Sequence, residues 1–502
     1  MTRRGSRSSR SQTAIQQRPW KQFTLHYRPI EILSADQVEA IHDTALTILE
    51  EIGMKVLSDR ARALYADGGA EVTAGSDRVR FGREMVMNWI EKAPSTFTLV
   101  ARDPAKTLTV GGPHAVFSSV GGPAYVSDLE RGRRPGTYAE QCEFLKLVQS
   151  LNILHQEGGG PFEALDLPSR TRHLDLYYAE ATLLDKNWQP QGLGHDVALD
   201  ALEMAAISLR TTREALQGTC VFTCVINTNS PLQLDIPMAD GLILMAEHGQ
   251  CNVITPFTLA GAMSPVTIAG ALAQQHAEAL AGIVLTQIVR PGAPVLYGGF
   301  TSNVDMKSGA PAFGTPEYTQ AAQASGQLAR RFGLPFRSSN VTAANDVDAQ
   351  AAYESMMALW GSIMGGANLI MHAAGWLNGG LTGSFEKLIL DAELLQMMAA
   401  YAEPFAVTAD TLALEAVRDV GPAGHFFGTP HTLARYETAF HQPMLSNWDN
   451  YDTWIERGRE TAPAKANRVW KQLLADYQKP PLDPAVDEAL RDFVRRRKLD
   501  YR

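Results

Sequence analysis

Nine side chains that could bind or act on a small molecule lie at or just after short apolar segments of the chain. They are Glu157, Gln189, His195, Phe257, Tyr297, Phe300, Asn340, His372 and Trp376. Aromatic and amide groups dominate this set, which holds one carboxylate and two histidines. Aromatic ring faces attract organic cations, and a carboxylate can balance the charge of such a cation. The set therefore favours a small organic cation as the ligand.

The same segment ends lack the residues of several other chemistries. No lysine is found there, which argues against Schiff-base catalysis, and no H-x-H or Cys/His cluster predicts a zinc site. We therefore expect no metal ligands. Glu157 and His372 are the candidate catalytic residues, and the other seven are candidate substrate-binding residues. Several of them, Tyr297 and Trp376 included, could instead be core side chains.

The segments that must position these residues alternate between strand and helix patterns. Each predicted strand is followed by a helical pattern, and several helices have clear start signals such as the capping box of Thr137 and Glu140. Eight strand–helix units predict an α/β fold of the TIM (β/α)8 barrel type, with its active site at the carboxyl ends of the strands. An open doubly wound sheet is the alternative, but no glycine-rich phosphate loop follows the first strand. The predicted strands are 115–121, 152–157, 187–193, 219–226, 251–258, 293–300, 336–342 and 368–374.

The predicted barrel covers residues 111–405 of the 502-residue chain. Residues 1–27 contain several arginines and predict a disordered basic tail, of which residues 1–20 should be dispensable for folding. Residues 28–110 predict a helical N-terminal subdomain. Residues 406–502 predict a C-terminal cap, which could be an oligomer contact, and a charged helical tail.

Composition limits the partners and the compartment. The chain has 45 Lys and Arg against 54 Asp and Glu, a net charge of −9, so we expect no nucleic-acid partner. No apolar run approaches ~18 residues, so we expect no membrane helix. Four cysteines without zinc spacing indicate a reducing compartment, and we expect a cytoplasmic protein.

Four stretches of sequence resemble one known family. They are LSADQVEAIHDTALTILEEIGMKVLSD (33–59), GAPAFGTPEYTQAAQASGQLARRFGLPFRSS (309–339), DVDAQAAYESMMALWGSIMGGANLIMHAAGWLNGG (346–380) and GHFFGTPHTLARYETAFHQPMLSNW (424–448). Together they resemble the trimethylamine methyltransferase (MttB-like) superfamily of corrinoid-dependent methyltransferases, over about residues 30–480.

The resemblance implies a TIM barrel that moves a methyl group from a methylamine or quaternary amine to Co(I) of a separate corrinoid protein. The corrinoid (cobalamin) would be carried by that partner. The archaeal trimethylamine enzymes have a pyrrolysine near the end of the strand that corresponds to 336–345, whereas residues 338–345 here read SSNVTAAN. This departure implies the non-pyrrolysine branch, which resembles glycine betaine:corrinoid methyltransferases. The implied substrate is a small quaternary amine such as glycine betaine, proline betaine or carnitine.

Methyl transfer from a quaternary ammonium fits the scarcity of titratable residues. The departing tertiary amine is neutral, so the enzyme needs orientation and a dry site more than a general acid. His195, Gln189, Asn340 or His372 could donate hydrogen bonds to a substrate carboxylate. Two alternatives remain: a tetrahydrofolate-linked betaine demethylase on the same barrel, and a non-catalytic betaine-binding barrel. We also expect a homo-oligomer.

Overall fold

The centre of the fold is a curved parallel sheet, seen in a computed structural model that describes residues 15–501. In space its six strands lie in the order β2-β3-β4-β5-β6-β1, and every neighbouring pair is parallel. The strands are β1 (His114–Ser119), β2 (Thr223–Ile226), β3 (Cys251–Ile254), β4 (Val295–Gly298), β5 (Phe336–Ser339) and β6 (Leu369–Ala374).

Two short extended segments continue this sheet beyond β1. Ser118 forms a parallel bridge with Gln156, which forms another with Asn187. Between Asn187 and β2, no backbone bridge occurs in residues 15–501. Side-chain hydrogen bonds cross the gap instead, from Asn187 Nδ2 to the Val221 carbonyl oxygen and from Thr223 Oγ1 to Gln189 Oε1, both at 3.4 Å. The α/β fold with a curled sheet is therefore confirmed, and all eight predicted strand positions contain a strand or a bridge. A closed TIM barrel is not confirmed, because backbone pairing stops at this seam.

Eight helices follow the eight strand segments and cover the outside of the sheet. Their starts match the sequence signals: Thr137 and Glu140 form the predicted capping box, and Thr315 caps a helix with Pro316 at its first position. The helices are α1 (Tyr138–Ser150), α2 (Arg172–Leu183), α3 (His195–Ser208), α4 (Ile236–Glu247), α5 (Ile268–Val289), α6 (Pro316–Arg331), α7 (Ala349–Met364) and α8 (Phe385–Ala402).

A hairpin closes the end of the sheet at which the parallel strands begin. Its strands, Thr96–Leu99 and Leu108–Gly111, pair with each other and lead into β1. Leu99 and Leu108 form an apolar cluster with inward side chains of the sheet, such as Val253 and Leu296. Because this cluster fills one end of the sheet's interior, a cavity can lie only at the other end, where the strands terminate.

The segment before the sheet differs from the sequence prediction of a helical subdomain over 28–110. It contains the helices Ala35–Thr47, Asp59–Asp67 and Arg83–Ile90, and the predicted capping box of Ser34 and Gln37 is present. It also contains a small sheet, because strands of two or three residues are too short to show alternation in a sequence. The strands of that sheet are Met54–Val56, Glu71–Val72, Arg78–Arg80 and the distant Gln233–Leu234.

The predicted disordered tail over 1–27 is corrected for its described part. Phe23–Thr24 pairs antiparallel with β1, and Phe23 and Leu25 are buried. Arg18 forms an ion pair with Glu403 at 2.6 Å. Burial of these apolar side chains offsets the entropy lost on ordering this part of the chain. Within residues 15–20, Ile15 and Trp20 also pack against apolar core clusters, so deleting this stretch is expected to cost stability. Residues 1–14 lie outside the described part.

After α8 the chain forms four short helices and then two longer ones. The short helices are Ala409–Leu412, Leu414–Val420, Pro430–Leu433 and Tyr451–Glu456, and the long ones are Ala462–Ala475 and Pro484–Asp500. The long helices match the predicted helical tail, while the domain boundaries stay a prediction. No helix within 15–501 has both the length and the apolar character needed to cross a bilayer.

Candidate functional site

A cavity of about 390 Å³ opens at the carboxyl ends of the strands. This is the end opposite the apolar hairpin cluster, and it is where barrel enzymes of this strand–helix type place their sites. Loops from most of the strand segments line the cavity. The lining polar and aromatic residues are Glu163, Gln189, Gln191, Asn227, Thr255, Phe257, Phe300, Arg337, His372 and Trp376.

Five of the nine predicted site residues line this cavity. They are Gln189, Phe257, Phe300, His372 and Trp376, and the other four, Glu157, His195, Tyr297 and Asn340, lie elsewhere. These five lie at or just after the predicted strand ends, but the sequence prediction did not resolve which of two neighbouring side chains faces inward. The roles of all nine residues stay predictions.

Tyr297 and Asn340 point away from the cavity because successive side chains of a strand face opposite sides. Leu296 faces the interior, so Tyr297 faces α5, where its hydroxyl lies 3.0 Å from His276 Nδ1. Burial raises the pKa of the Tyr297 phenol. Arg337 faces the cavity, so Asn340, three residues later, faces outward and donates from Nδ2 to the Ala373 carbonyl oxygen at 3.0 Å.

Glu157 also faces outward, toward α2. Its carboxylate accepts hydrogen bonds from the backbone of Gly159 at 2.7 Å and of Gly160 at 2.9 Å. The side chain before it, Gln156, faces inward and donates to Thr223 at 2.7 Å. The Glu157 carboxylate therefore holds the glycine loop at the cavity rim and does not line the cavity, and its catalytic role stays a prediction.

Glu157 shares its buried site with a second carboxyl group, Glu180 of α2. Burial, followed by the charge of Glu157, raises the pKa of Glu180 well above its usual range, and burial also raises the pKa of Glu157. Like charges this close cannot both ionise, so one proton stays in the pair. Glu180 holds it, since Glu157 is the one stabilised by backbone N–H donors.

We expect this proton to make folding stability fall as pH rises. A carboxyl group with a raised pKa binds more protons in the folded than in the unfolded state, so the free energy of unfolding decreases above the unfolded pKa, ~4.5. Glu180→Gln removes the titration. The expected result is a larger gain in melting temperature at pH 8 than at pH 5. Equal shifts at both pH values would show that Glu180 is not the protonated partner.

The two predicted histidines have different environments. His195 is the first residue of α3, and its half-exposed ring lies 3.3 Å from Asp196 outside the cavity. His372 sits at a bulge in β6 with φ +53°, so that Met371 and His372 both face the cavity. Burial, and then the charge of Arg337, lower the pKa of His372 well below its usual range. Its imidazole is therefore neutral.

Three aromatic rings form one wall of the cavity. The Phe257 and Phe300 ring centroids are 5.1 Å apart, and those of Phe300 and Trp376 are 6.2 Å apart. Trp376 Nε1 donates to the Thr342 carbonyl oxygen at 3.2 Å, which holds the indole in place. His372 packs on Trp376 with ring centroids 4.4 Å apart. This wall offers several ring faces to a cation.

Arg337 lines the cavity but was not among the predicted site residues. Its side chain is buried, and its best hydrogen bond is a long one of 3.4 Å from Nη1 to the Gly299 carbonyl oxygen. Nε has no partner, and no carboxylate of residues 15–501 forms an ion pair with the guanidinium. Burial lowers its pKa to about 10, so it stays charged at neutral pH. Buried charges are normally paired, so this guanidinium lacks the anion that would balance its charge.

A signal for Arg337 was present in the sequence. Arginine is almost never fully buried unless it is paired, so an arginine inside a predicted barrel strand, FRSSNVT, indicates a ligand or a buried partner. At the rim, Glu163 forms an ion pair with Arg172 at 2.8 Å. Within residues 15–501, no group of three or more His, Cys, Asp or Glu side chains could hold a metal ion.

Comparisons with known proteins agree on one family. A family model described as trimethylamine methyltransferase (MTTB) matches residues 1–501. A glycine betaine methyltransferase of Desulfitobacterium hafniense (strain Y51) is 37% identical over 467 residues, covering 93% of this chain and 97% of that protein. The trimethylamine methyltransferase MttB of D. hafniense (strain DSM 10664 / DCB-2) is 26% identical over 477 residues, with 93% and 94% covered.

Two further matches are a second MttB protein and a solved structure. The trimethylamine methyltransferase MttB2 of Methanosarcina mazei is 26% identical over 484 residues, covering 93% of this chain and 94% of that protein. The crystal structure of the Methanosarcina barkeri monomethylamine methyltransferase (MtmB) is 12% identical, with a TM-score of 0.47 over 89% of this chain and 93% of that one. On the family match and the 37% identity, this chain belongs to the trimethylamine methyltransferase (MTTB) family.

Proposed function

We propose that this protein transfers a methyl group from a small betaine, a quaternary amine that also bears a carboxylate, to Co(I) of a corrinoid held by a partner protein. The observation that carries the proposal is the buried guanidinium of Arg337, which lacks an anion and lies beside an aromatic wall. The 37% identity to a glycine betaine methyltransferase supports the same substrate class.

A betaine is the substrate whose two charges match the two sides of the cavity. Its carboxylate can pair with Arg337 in two parallel hydrogen bonds. Its ammonium can contact the faces of Phe257, Phe300 and Trp376, each worth roughly 0.5–2 kcal/mol. The Arg337 guanidinium lies over the Phe300 ring, with Cζ 5.2 Å from the ring centroid, so the site for the carboxylate and the aromatic wall are only a few bonds apart. A cation without a carboxylate would be repelled by the same guanidinium.

The residues of the cavity orient the substrate and exclude water, and no proton transfer is required of them. The corrinoid, when its carrier is docked, supplies the nucleophile for the methyl group, and the C–N electron pair stays on nitrogen as a neutral tertiary amine. A neutral His372 fits a reaction that needs no general acid. Gly122 leaves part of the cavity rim open, since a Cβ there would meet nothing within 4 Å, and this fits the approach of a large rigid group.

The test is a comparison of methyl donors with free Co(I) cobalamin and with a corrinoid protein. Glycine betaine, proline betaine, carnitine and trimethylamine are supplied at equal concentration, and methyl–Co(III) formation is followed by absorbance. We expect the three betaines to exceed trimethylamine. Trimethylamine as the best donor would contradict the proposal. Demethylation only with tetrahydrofolate would indicate a folate-linked demethylase, and binding without demethylation would indicate a betaine-binding barrel.

The aromatic wall can be tested separately through the cationic end of the substrate. Trp376→Leu is expected to weaken glycine betaine binding by roughly 2- to 30-fold, since it removes one ring face from the ammonium. Phe336→Leu is the matched control, because Phe336 is equally buried but packs outward against Tyr297. Isothermal titration and melting temperature are measured for both variants. If Trp376→Leu changes only the melting temperature, the ring is a core residue and not part of a cation site.

A further inference from the structure

An extended segment after α8 exposes an unusual number of large apolar side chains. We call residues 404–443 the arm. Ten large apolar side chains of the arm are at least 44% exposed, and six of them are more than 60% exposed. These six are Phe405, Val407, Leu412, Phe427, Tyr436 and Phe440. Monomeric proteins rarely expose large apolar patches, so a segment with this many exposed apolar side chains indicates an interaction surface.

The arm is anchored to the body at both ends, but its apolar side chains are not packed into the main core of residues 15–501. At its start, Glu403 pairs with Arg18, and just after its end the backbone of Met444 donates to Glu393 of α8 at 2.8 Å. Between these anchors, short helices and an ion pair between Asp410 and Arg435 hold its shape. No residue of the arm belongs to the main hydrophobic core of residues 15–501.

A second apolar surface lies on the body where the arm begins. We call it the stripe, and it is formed by the outer faces of α7 and α8. Tyr353, Met357 and Trp360 follow one another at helical spacing on α7, and Met397 and Tyr401 do so on α8. Tyr353 is 60% exposed and Tyr401 47%. The Trp360 and Tyr401 ring centroids are 5.5 Å apart, which makes the two helices present one continuous surface.

We propose that the arm of one chain lies on the stripe of a second copy of the same chain, in a two-fold dimer that exchanges both arms. The stripe ends at Tyr401 and the arm starts three residues later. If the two-fold axis passes near this point, the arm of each chain lies beside the stripe of the other. A two-fold interface must be self-complementary, and an arm beside a stripe meets that condition.

The area of the arm is sufficient for a stable dimer. An aromatic side chain buries ~150–250 Å², so the four most exposed aromatic side chains of the arm, Phe405, Phe427, Tyr436 and Phe440, alone supply on the order of 500 Å² per chain. Two arms, their aliphatic side chains and two stripes then reach the 1,200–2,000 Å² that is about the usual size of a specific interface.

The arm's position also favours a second copy over the methyl-accepting protein. A helix that follows a parallel strand runs back along it, so α8 begins beside the cavity mouth and ends at the opposite end of the sheet. The arm leaves from that opposite end, at Glu403. The arm therefore leaves the body at the end opposite the mouth at which the acceptor must dock.

The test measures the mass of the full chain by sedimentation at micromolar concentration. We expect a dimer. The arm variant Phe427→Asp/Phe440→Asp and the stripe variant Met357→Asp/Tyr401→Asp should each be monomeric, with at least 100-fold weaker association. An equimolar mixture of the two variants should recover dimers, because one intact arm still meets one intact stripe. Met306→Asp, at a 70% exposed apolar residue outside both surfaces, is the matched control and should remain dimeric.

Folding of each variant is checked by circular dichroism and melting temperature, so that loss of the dimer is not mistaken for unfolding. A monomeric wild-type chain would overturn the proposal, as would variants that stay dimeric. A mixture that fails to recover dimers would also overturn it. Loss of binding to a corrinoid protein or to lipid vesicles, with the dimer unchanged, would assign the arm to that other partner instead.

Discussion

Replacing Arg337 with methionine is expected to weaken glycine betaine binding by roughly 10- to 150-fold. Hydrogen bonds to a charged group contribute ~1.5–3 kcal/mol, and 1.4 kcal/mol corresponds to tenfold. Choline shares the trimethylammonium group but lacks the carboxylate, so its binding should be unchanged or improved once the repelling guanidinium is gone. The measurement is isothermal titration of both ligands against the wild-type and the variant. Equal weakening of both ligands would show that Arg337 only maintains the cavity.

The same substitution should not destabilise the fold. Arg337 is buried with one long hydrogen bond and an unpaired Nε, so its desolvation is poorly compensated in the ligand-free protein. We expect the melting temperature of Arg337→Met to equal or exceed that of the wild-type. Arg337→Lys keeps the positive charge but cannot form the bidentate hydrogen bonds of a guanidinium with a carboxylate. It should therefore recover only part of the betaine affinity. A large fall in melting temperature for Arg337→Met would contradict this account.

Replacing Asp391 with leucine is expected to cost about 3–5 kcal/mol of stability, because it leaves the Lys387 ammonium buried without its partner. Both side chains of this ion pair have no exposed surface. Lys387 Nζ also donates to Ser355 Oγ at 2.7 Å, and Asp391 accepts from the backbone of Gly375 at 2.9 Å. Gly375 precedes Trp376 of the aromatic wall, so the pair connects folding stability with the geometry of the cavity.

The double variant Lys387→Met/Asp391→Leu separates these two effects. With both charges removed, much of the lost stability should return, since a buried pair can often be replaced by apolar side chains at little cost. The backbone N–H of Gly375 still lacks its acceptor, so betaine binding should stay weaker than in the wild-type. Urea unfolding and isothermal titration give the two readouts. A double variant no more stable than Asp391→Leu would contradict the ion-pair explanation.

The strand–helix order could be predicted because its signals are local. Apolar runs, helix caps such as Thr137 and proline at the start of α6 depend on neighbours within a few residues. The carboxyl ends of the strands, and with them the site of the cavity, follow from that order. Phe300 and Trp376 were found in this way. The small sheet around Met54–Val56 was not, since its four strands are short and one comes from a distant part of the chain.

Local sequence patterns were enough to predict the order of the elements, the strand ends around the cavity and the cavity's aromatic character. Which side chains face that cavity depends on long-range packing. A one-residue difference turns a strand side chain to the other side of the sheet, so Glu157 and Tyr297 face helices, and a bulge turns His372 inward. The lack of an anion at Arg337 was likewise invisible, because a buried charge is paired or unpaired only through residues that folding brings to it.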